Sequence, residues 1–166
     1  MPNWCSNHVT FFGDNVSKVE KLFDMLIKEQ ATGNSGVRPP WKGCEKNNVR
    51  YMFEIEKYEP SVYQFESRWS PTLATMFLIG RRLKVAFEIS WDEMGMSLYG
   101  SATFDPSIPD VMMIRDASCT NYKWDEDKEV YIYKDEEYES VYDFMENVID
   151  DMTPMPISKD QVLREG

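Results

Sequence analysis

The chain has little positive charge and a single histidine, His8. Eighteen lysines and arginines face 29 aspartates and glutamates in 166 residues, a formal net charge of -11. Self-repulsion of that size opposes contact with phosphate backbones and favours basic partners, so direct nucleic-acid binding is disfavoured; the plainer reading is acidity for solubility. Long apolar runs are missing too. No stretch of about eighteen or more apolar residues offers a membrane span, and the chain does not open on a basic segment followed by an apolar one. The expectation is a soluble, cytoplasmic protein with no membrane partner. Cysteine is scarce: Cys5, Cys44 and Cys119 leave one thiol unpaired in any internal scheme, as expected of reduced thiols. No internal repeat or low-complexity tract is present.

What is present is a core. Hydrophobic residues make up 42% of the chain and aromatics 14%, enough apolar area to offset the entropy of ordering it. The length suits one domain with an appendage. Val9 and Phe11 alternate with His8, Thr10 and Phe12, a strand pattern ending at Gly13. From Asn15, the residues Val16, Val19, Leu22, Phe23, Leu26 and Ile27 form one helical face, with Asp14 or Asn15 as N-cap. A loop follows at 31–48, rich in Gly, Asn, Ser and Pro. Tyr51, Phe53 and Ile55, then Tyr63, Phe65, Ser67 and Trp69, read as a hairpin. Ser70 and Pro71 start a second helix carrying Leu73, Met76, Phe77 and Leu83. Val85, Phe87, Ile89 and Trp91 share one face of the next strand, which turns through "DEMG" into another.

The order strand, helix, strand, strand, helix, strand predicts an α+β fold of the ferredoxin-like (split βαβ) plan, with helices on one face of an antiparallel sheet. It predicts a ferredoxin-like domain over 1–105, and an acidic C-terminal extension with a strand and a helix over 106–166, packed on the same domain. Between Asp125 and Asp151 twelve acidic residues face Lys128 and Lys134. There "EVYIY" reads as a strand, and Val141, Phe144, Met145, Val148 and Ile149 as a helix capped by Ser140.

"MPNWCSNHVTFFG", "FESRWSP" and "FEISWDEMGMSLYG" resemble the YubB-type ferredoxin-like family, uncharacterised proteins carried on plasmids and phages. The resemblance implies a fold and a mobile-element origin, hence the cytoplasm of a host cell, and no particular reaction.

Several constellations compete as sites. Cys5, His8, Cys44 and Cys119 are the right ligand types for zinc. Positions three apart on a strand lie about 10 Å apart on opposite faces, however, so Cys5 and His8 do not suit one ion, and Trp4 with Cys5 reads as a plug on the sheet's end. Asp92 and Glu93 beside Trp91 form a carboxylate pair, placed at a hairpin turn where solvated acids are ordinary. Tyr99, Gly100 and Phe104 match part of the sheet motif of RNA-recognition modules, and Arg81, Arg82 and Lys84 form the one dense basic cluster. The acidic segment carries Asp125, Glu126, Asp127, Glu129, Asp135, Glu136, Glu137 and Glu139, interleaved with Trp124, Tyr131, Tyr133, Tyr138 and Tyr142. Acids steer a basic partner and rings anchor it. The expected function is a non-catalytic accessory protein, without metal or cofactor. Those eight acids would bind a basic surface of a host nucleic-acid-handling protein, as an anti-defence inhibitor by acidic mimicry. The alternatives are an RNA- or nucleotide-binding module using the sheet, and a small enzyme with an unrecognised site.

Overall fold

A computed structural model describes residues 3–33, 36–45, 49–93, 98–118 and 122–165. The expected opening strand is β1 (Trp4–Phe12), followed by α1 (Val16–Ala31), β2 (Phe53–Glu59), β3 (Val62–Arg68), α2 (Leu73–Leu83), β4 (Ala86–Glu93) and β5 (Leu98–Phe104). Beyond these come β6 (Val111–Asp116), β7 (Lys123–Asp125), β8 (Val130–Tyr133), β9 (Glu136–Tyr138), α3 (Val141–Asp151), β10 (Met155–Ser158) and α4 (Lys159–Glu165). The turn expected at "DEMG" falls in part on Met94 to Ser97, which lie outside the described residues.

Seven strands form one antiparallel sheet in the order β10-β6-β5-β4-β1-β3-β2. Its β4-β1-β3-β2 part is the ferredoxin-like arrangement, and β5, β6 and β10 extend it past β4. Alternation decides which face each side chain takes. Cys5, Asn7, Val9 and Phe11 of β1 are buried, with Val85, Phe87, Ile89 and Trp91 at β4, against Val19, Leu22, Phe23 and Leu26 of α1 and Met76, Phe77 and Ile79 of α2. Aromatic rings form much of this core: Phe23 stacks on Tyr63 at 4.1 Å, and Phe87 on Phe104 at 5.5 Å. Each such fully buried side chain contributes about 1.5–3 kcal/mol through the area it removes from water. The opposite face of β1 carries Trp4, Ser6, His8, Thr10 and Phe12. Trp4 and Cys5 thus part company, one half-exposed and one in the core, and form no common plug.

Four local expectations shift. Tyr51, Phe53 and Ile55 do not share a face: Met52 and Ile55 are buried while Tyr51 is exposed. A register irregularity after Phe53, with Glu54 at φ 51°, inserts an extra residue and re-phases the alternation. The edge this leaves is closed by Gln30, whose amide accepts from the Ile55 N–H and donates to its carbonyl, both at 2.9 Å. Trp69, at φ 69°, has left β3 and is exposed. The second helix begins at Leu73 with Thr72 as N-cap, not at Ser70, because the Asn7 side chain holds the Thr72 N–H and the Ser67 hydroxyl holds the Ser70 carbonyl. At α1, Asn15 occupies the N-cap position but donates to the Lys84 carbonyl instead of capping. Ser140 does cap α3, accepting from the Tyr142 N–H.

Candidate functional site: an acidic sheet and helix

The acidic segment builds a second, smaller core. Strands β7, β8 and β9 form a three-stranded antiparallel sheet, and α3 lays Phe144, Met145, Val148 and Ile149 against it. Phe144 is fully buried, with the rings of Tyr122 at 4.9 Å, Tyr133 at 5.2 Å, Tyr138 at 5.8 Å and Tyr131 at 6.3 Å around it. Ala117 and Tyr99 join this cluster and tie it to the end of β5. Tyr131, Tyr133 and Tyr138 are therefore half-buried wall, not free anchors. Trp124, 48% exposed, and Tyr142, 51% exposed, keep rings available to a partner.

The eight acids named from the sequence lie around this sheet. Asp125 ends β7, and its carboxylate accepts from the N–H groups of Asp127 at 3.0 Å and Lys128 at 3.2 Å, fixing the turn. Glu126, Asp127 and Glu129 are exposed in that turn. Asp135 shares the β8–β9 turn with Lys134, both at positive φ, as tight hairpins require. Glu136 accepts from the Tyr138 hydroxyl at 2.9 Å, and Glu137 pairs with Lys128 at 2.7 Å, which raises the Lys128 pKa. Glu139 is exposed between β9 and α3. The helix adds exposed Asp143, Glu146, Asp150 and Asp151, acids the expected site left out although their helical spacing was readable.

The open face of the large sheet extends this negative surface. Ser6 of β1 lies between Glu66 of β3 and Asp92 of β4, and its hydroxyl donates to Glu66 at 2.8 Å. Burial first, then the charges of Glu66 and Glu93, hold the Asp92 carboxyl above its ordinary pKa. Tyr99 lies opposite Asp92 on β5. Its hydroxyl is pushed up by burial and then by Glu146, Asp92 and Asp150, so the α3 acids and Asp92 act on one locus. His8 lies one row away, between Gln64 and Ser90. Sequence reasoning paired Asp92 with its neighbour Glu93 and missed Glu66, because adjacency in the sheet comes from distant segments.

Asp92 gives a pH-dependent prediction. A carboxyl whose folded pKa is raised binds its proton more tightly in the native state, so it costs stability above that pKa and the cost vanishes as pH falls. Asp92→Asn is expected to melt higher than the parent at pH 7, the gap closing as pH drops toward about 4, the ordinary carboxyl value. Melting curves across that range check it; a variant that melts lower at pH 7 contradicts the assignment.

The remaining candidates do not assemble. Cys5 is buried on the helix side of the sheet, its thiol pushed up to about 12 by burial and the nearby Asp92. His8 is exposed on the other side, Cys44 is buried in the segment after Trp41 with its thiol also raised by burial, and Cys119 lies outside the described residues. Among the described residues no three or more His, Cys, Asp or Glu side chains are grouped to hold a metal ion. Raised thiol pKa values also suppress the nucleophilic thiolate. Of the partial RNA-recognition motif, Tyr99 packs on the second core and Phe104 is buried in the first. Gly100 is there for space: a Cβ would run into the Trp91 ring. In the basic cluster Arg81 pairs with Asp110 at 3.1 Å, Arg82 lies over the Trp41 ring at 4.8 Å, and Lys84 caps α2 in the left-handed region.

No helix among the described residues is long and apolar enough to cross a membrane. No curated protein and no solved structure matches the chain. Residues 50–144, more than half of it, match the ferredoxin-like domain in Api92-like protein. That stretch runs from the segment leading into β2 through the small sheet to Phe144, so it takes in β2, β3 and β4 of the ferredoxin-like arrangement and, beyond them, β5, β6 and the acidic turns. The chain belongs to this family of ferredoxin-like domains.

Proposed function

We propose that the protein is a non-catalytic binding module whose small sheet and α3 engage a basic surface of another protein. The supporting observation is the surface itself: two acidic turns and an acidic helix face, with Trp124 and Tyr142 half-exposed among the charges. Charge of one sign steers encounter, and exposed rings supply contact area that charge alone does not. The partner's basic surface is one that normally receives nucleic acid, so the acids stand in for phosphates and block it. The YubB-type resemblance adds the setting, a plasmid or phage protein acting in the cytoplasm against a host nucleic-acid-handling protein.

The test uses Glu126→Lys with Glu139→Lys, since both side chains are exposed and neither holds a turn in place as Asp125 does. Exposed charges change stability by only about ±0.5 kcal/mol, so the melting curve should barely move. Partners captured from a bacterial lysate by the parent protein are identified by mass spectrometry, and association is then followed across a salt series. Association is expected to slow as the Debye length falls below about 8 Å, and to slow further in the double variant. Equal association rates for parent and folded variant reject this surface as the interface.

A further inference from the structure

Five of the chain's seven arginines, Arg38, Arg50, Arg68, Arg81 and Arg82, line clefts whose walls include no residue of the acidic sheet or α3. One of these clefts is unusual for an acidic protein. It has a volume of about 200 Å³, is lined by Arg38, Arg50 and Arg68 with Tyr51 and Phe53, and has no described carboxylate on its wall. Arg38 is set in place by a hydrogen bond to the Val49 carbonyl at 3.2 Å and lies over the Tyr51 ring at 4.2 Å. Arg68 is exposed, lies over Phe53 at 4.8 Å and Trp4 at 5.6 Å, and ion-pairs with no carboxylate among the described residues. The Nε of Arg50 is buried without a hydrogen-bond partner. The guanidinium groups of Arg50 and Arg68 at this hollow supply forked donors that match a phosphate, and the charge of Arg38 adds to theirs.

Through Phe53 and Arg68 this hollow adjoins a larger cleft of about 930 Å³, bordered by Trp4, Glu54 and Glu66. That volume lies within the range of about 300–1,000 Å³ usual for small-molecule sites. Its chemistry complements the first. Trp4 and Phe53 meet edge to face, ring centroids 5.1 Å apart, and the exposed part of Trp4 offers stacking area for a planar ring, while Glu54 and Glu66 accept hydrogen bonds from hydroxyl or amino groups.

We infer that the two clefts form a nucleotide site, with the phosphate at Arg50 and Arg68 on the Arg38 side and the base against the exposed Trp4. A free mononucleotide fits better than a strand. The further phosphates of a strand would meet Glu54, Glu66 and the overall charge of -11, whereas one phosphate is governed by the arginines it touches, more distant charges being screened beyond about 8 Å. Apart from Glu66, which also faces Ser6 on the open side of the large sheet, the site shares no residue with the acidic sheet and α3, and it does not depend on the partner proposed for them.

Calorimetric titration of the intact protein with AMP, adenosine, inorganic phosphate and an oligothymidylate tests this. AMP is expected to bind more tightly than adenosine or phosphate alone. Arg68→Gln should weaken AMP about tenfold more than it weakens adenosine, while Trp4→Ala should weaken both alike. Both side chains are substantially exposed, and melting curves confirm that the variants fold. AMP that does not bind, or that binds equally to parent and Arg68→Gln, overturns the site. An oligothymidylate that binds more tightly than AMP overturns the mononucleotide assignment.

Discussion

Phe144→Ala is expected to cost about 3–5 kcal/mol and to melt the acidic sheet ahead of the rest of the chain. Phe144 is the centre of the second core, fully buried and ringed by four tyrosines. Truncation removes its own transfer energy and leaves a cavity that rigid rings close poorly, which is why large-to-small changes at such positions reach the top of their range. The small sheet has little else to hold it. β7 and β9 are three residues each, and the ion pairs Lys128–Glu137 and Lys134–Asp151 are exposed to solvent, which screens them and leaves them little to contribute. The large core around Phe23, Tyr63 and Phe87 contains none of these residues and should persist. Hydrogen exchange followed by mass spectrometry separates the two: protection should fall across β7, β8, β9 and α3 and hold across β1 and β4. An even loss over both sheets would show that the two cores unfold as one. A loss below about 1 kcal/mol would show that Phe144 does not organise the module.

How much of this was legible in the sequence depends on whether a feature is local. The alternation at β1 and β4 and the helical spacing of α1 and α3 gave faces correctly, because burial on one side of a regular element leaves a period in the chain. Glu54 broke that logic. A single residue at positive φ moved Met52 to the face expected for Tyr51 and Phe53, and nothing in the composition of the stretch marks a bulge. The start of α2 was missed for a related reason, since the groups satisfying its first turn come from β1 and β3. In the tail, the acids were legible and the tyrosines misleading: interleaved rings read equally well as anchors or as wall, and only Phe144 at their centre decides. Arg38, Arg50 and Arg68 come from separate segments with acids between them, so no window of sequence shows a basic site.

Asn7→Ala is expected to destabilise the whole protein by roughly 2–4 kcal/mol, although no catalytic or binding role is assigned to Asn7. It is fully buried on the helix side of β1. Its amide nitrogen donates to the Cys5 carbonyl at 3.0 Å and the Ser67 hydroxyl at 2.8 Å, and its oxygen accepts from the Thr72 N–H at 3.3 Å. One side chain thus joins β1, β3 and the start of α2, whose Thr72 N–H has no water to turn to. Alanine leaves that donor orphaned and opens a polar hollow, whereas an apolar replacement of both partners is unavailable because the donor is backbone. Asn7→Asp gives the sharper measurement. The carboxylate could still accept from Thr72, but it would face the Cys5 carbonyl, which wants a donor, so burial and lone-pair repulsion should raise its pKa in the folded state. By linkage the variant then loses most stability at neutral pH and recovers part of it as pH falls through that raised value. Denaturant titrations of parent, Asn7→Ala and Asn7→Asp at pH 7 and pH 5 are decisive. If Asn7→Asp is no more stable relative to the parent at pH 5 than at pH 7, the amide is not the donor to Cys5. If Asn7→Ala costs under about 1 kcal/mol, the opening stretch is not the joint between sheet and helix that its hydrogen bonds describe.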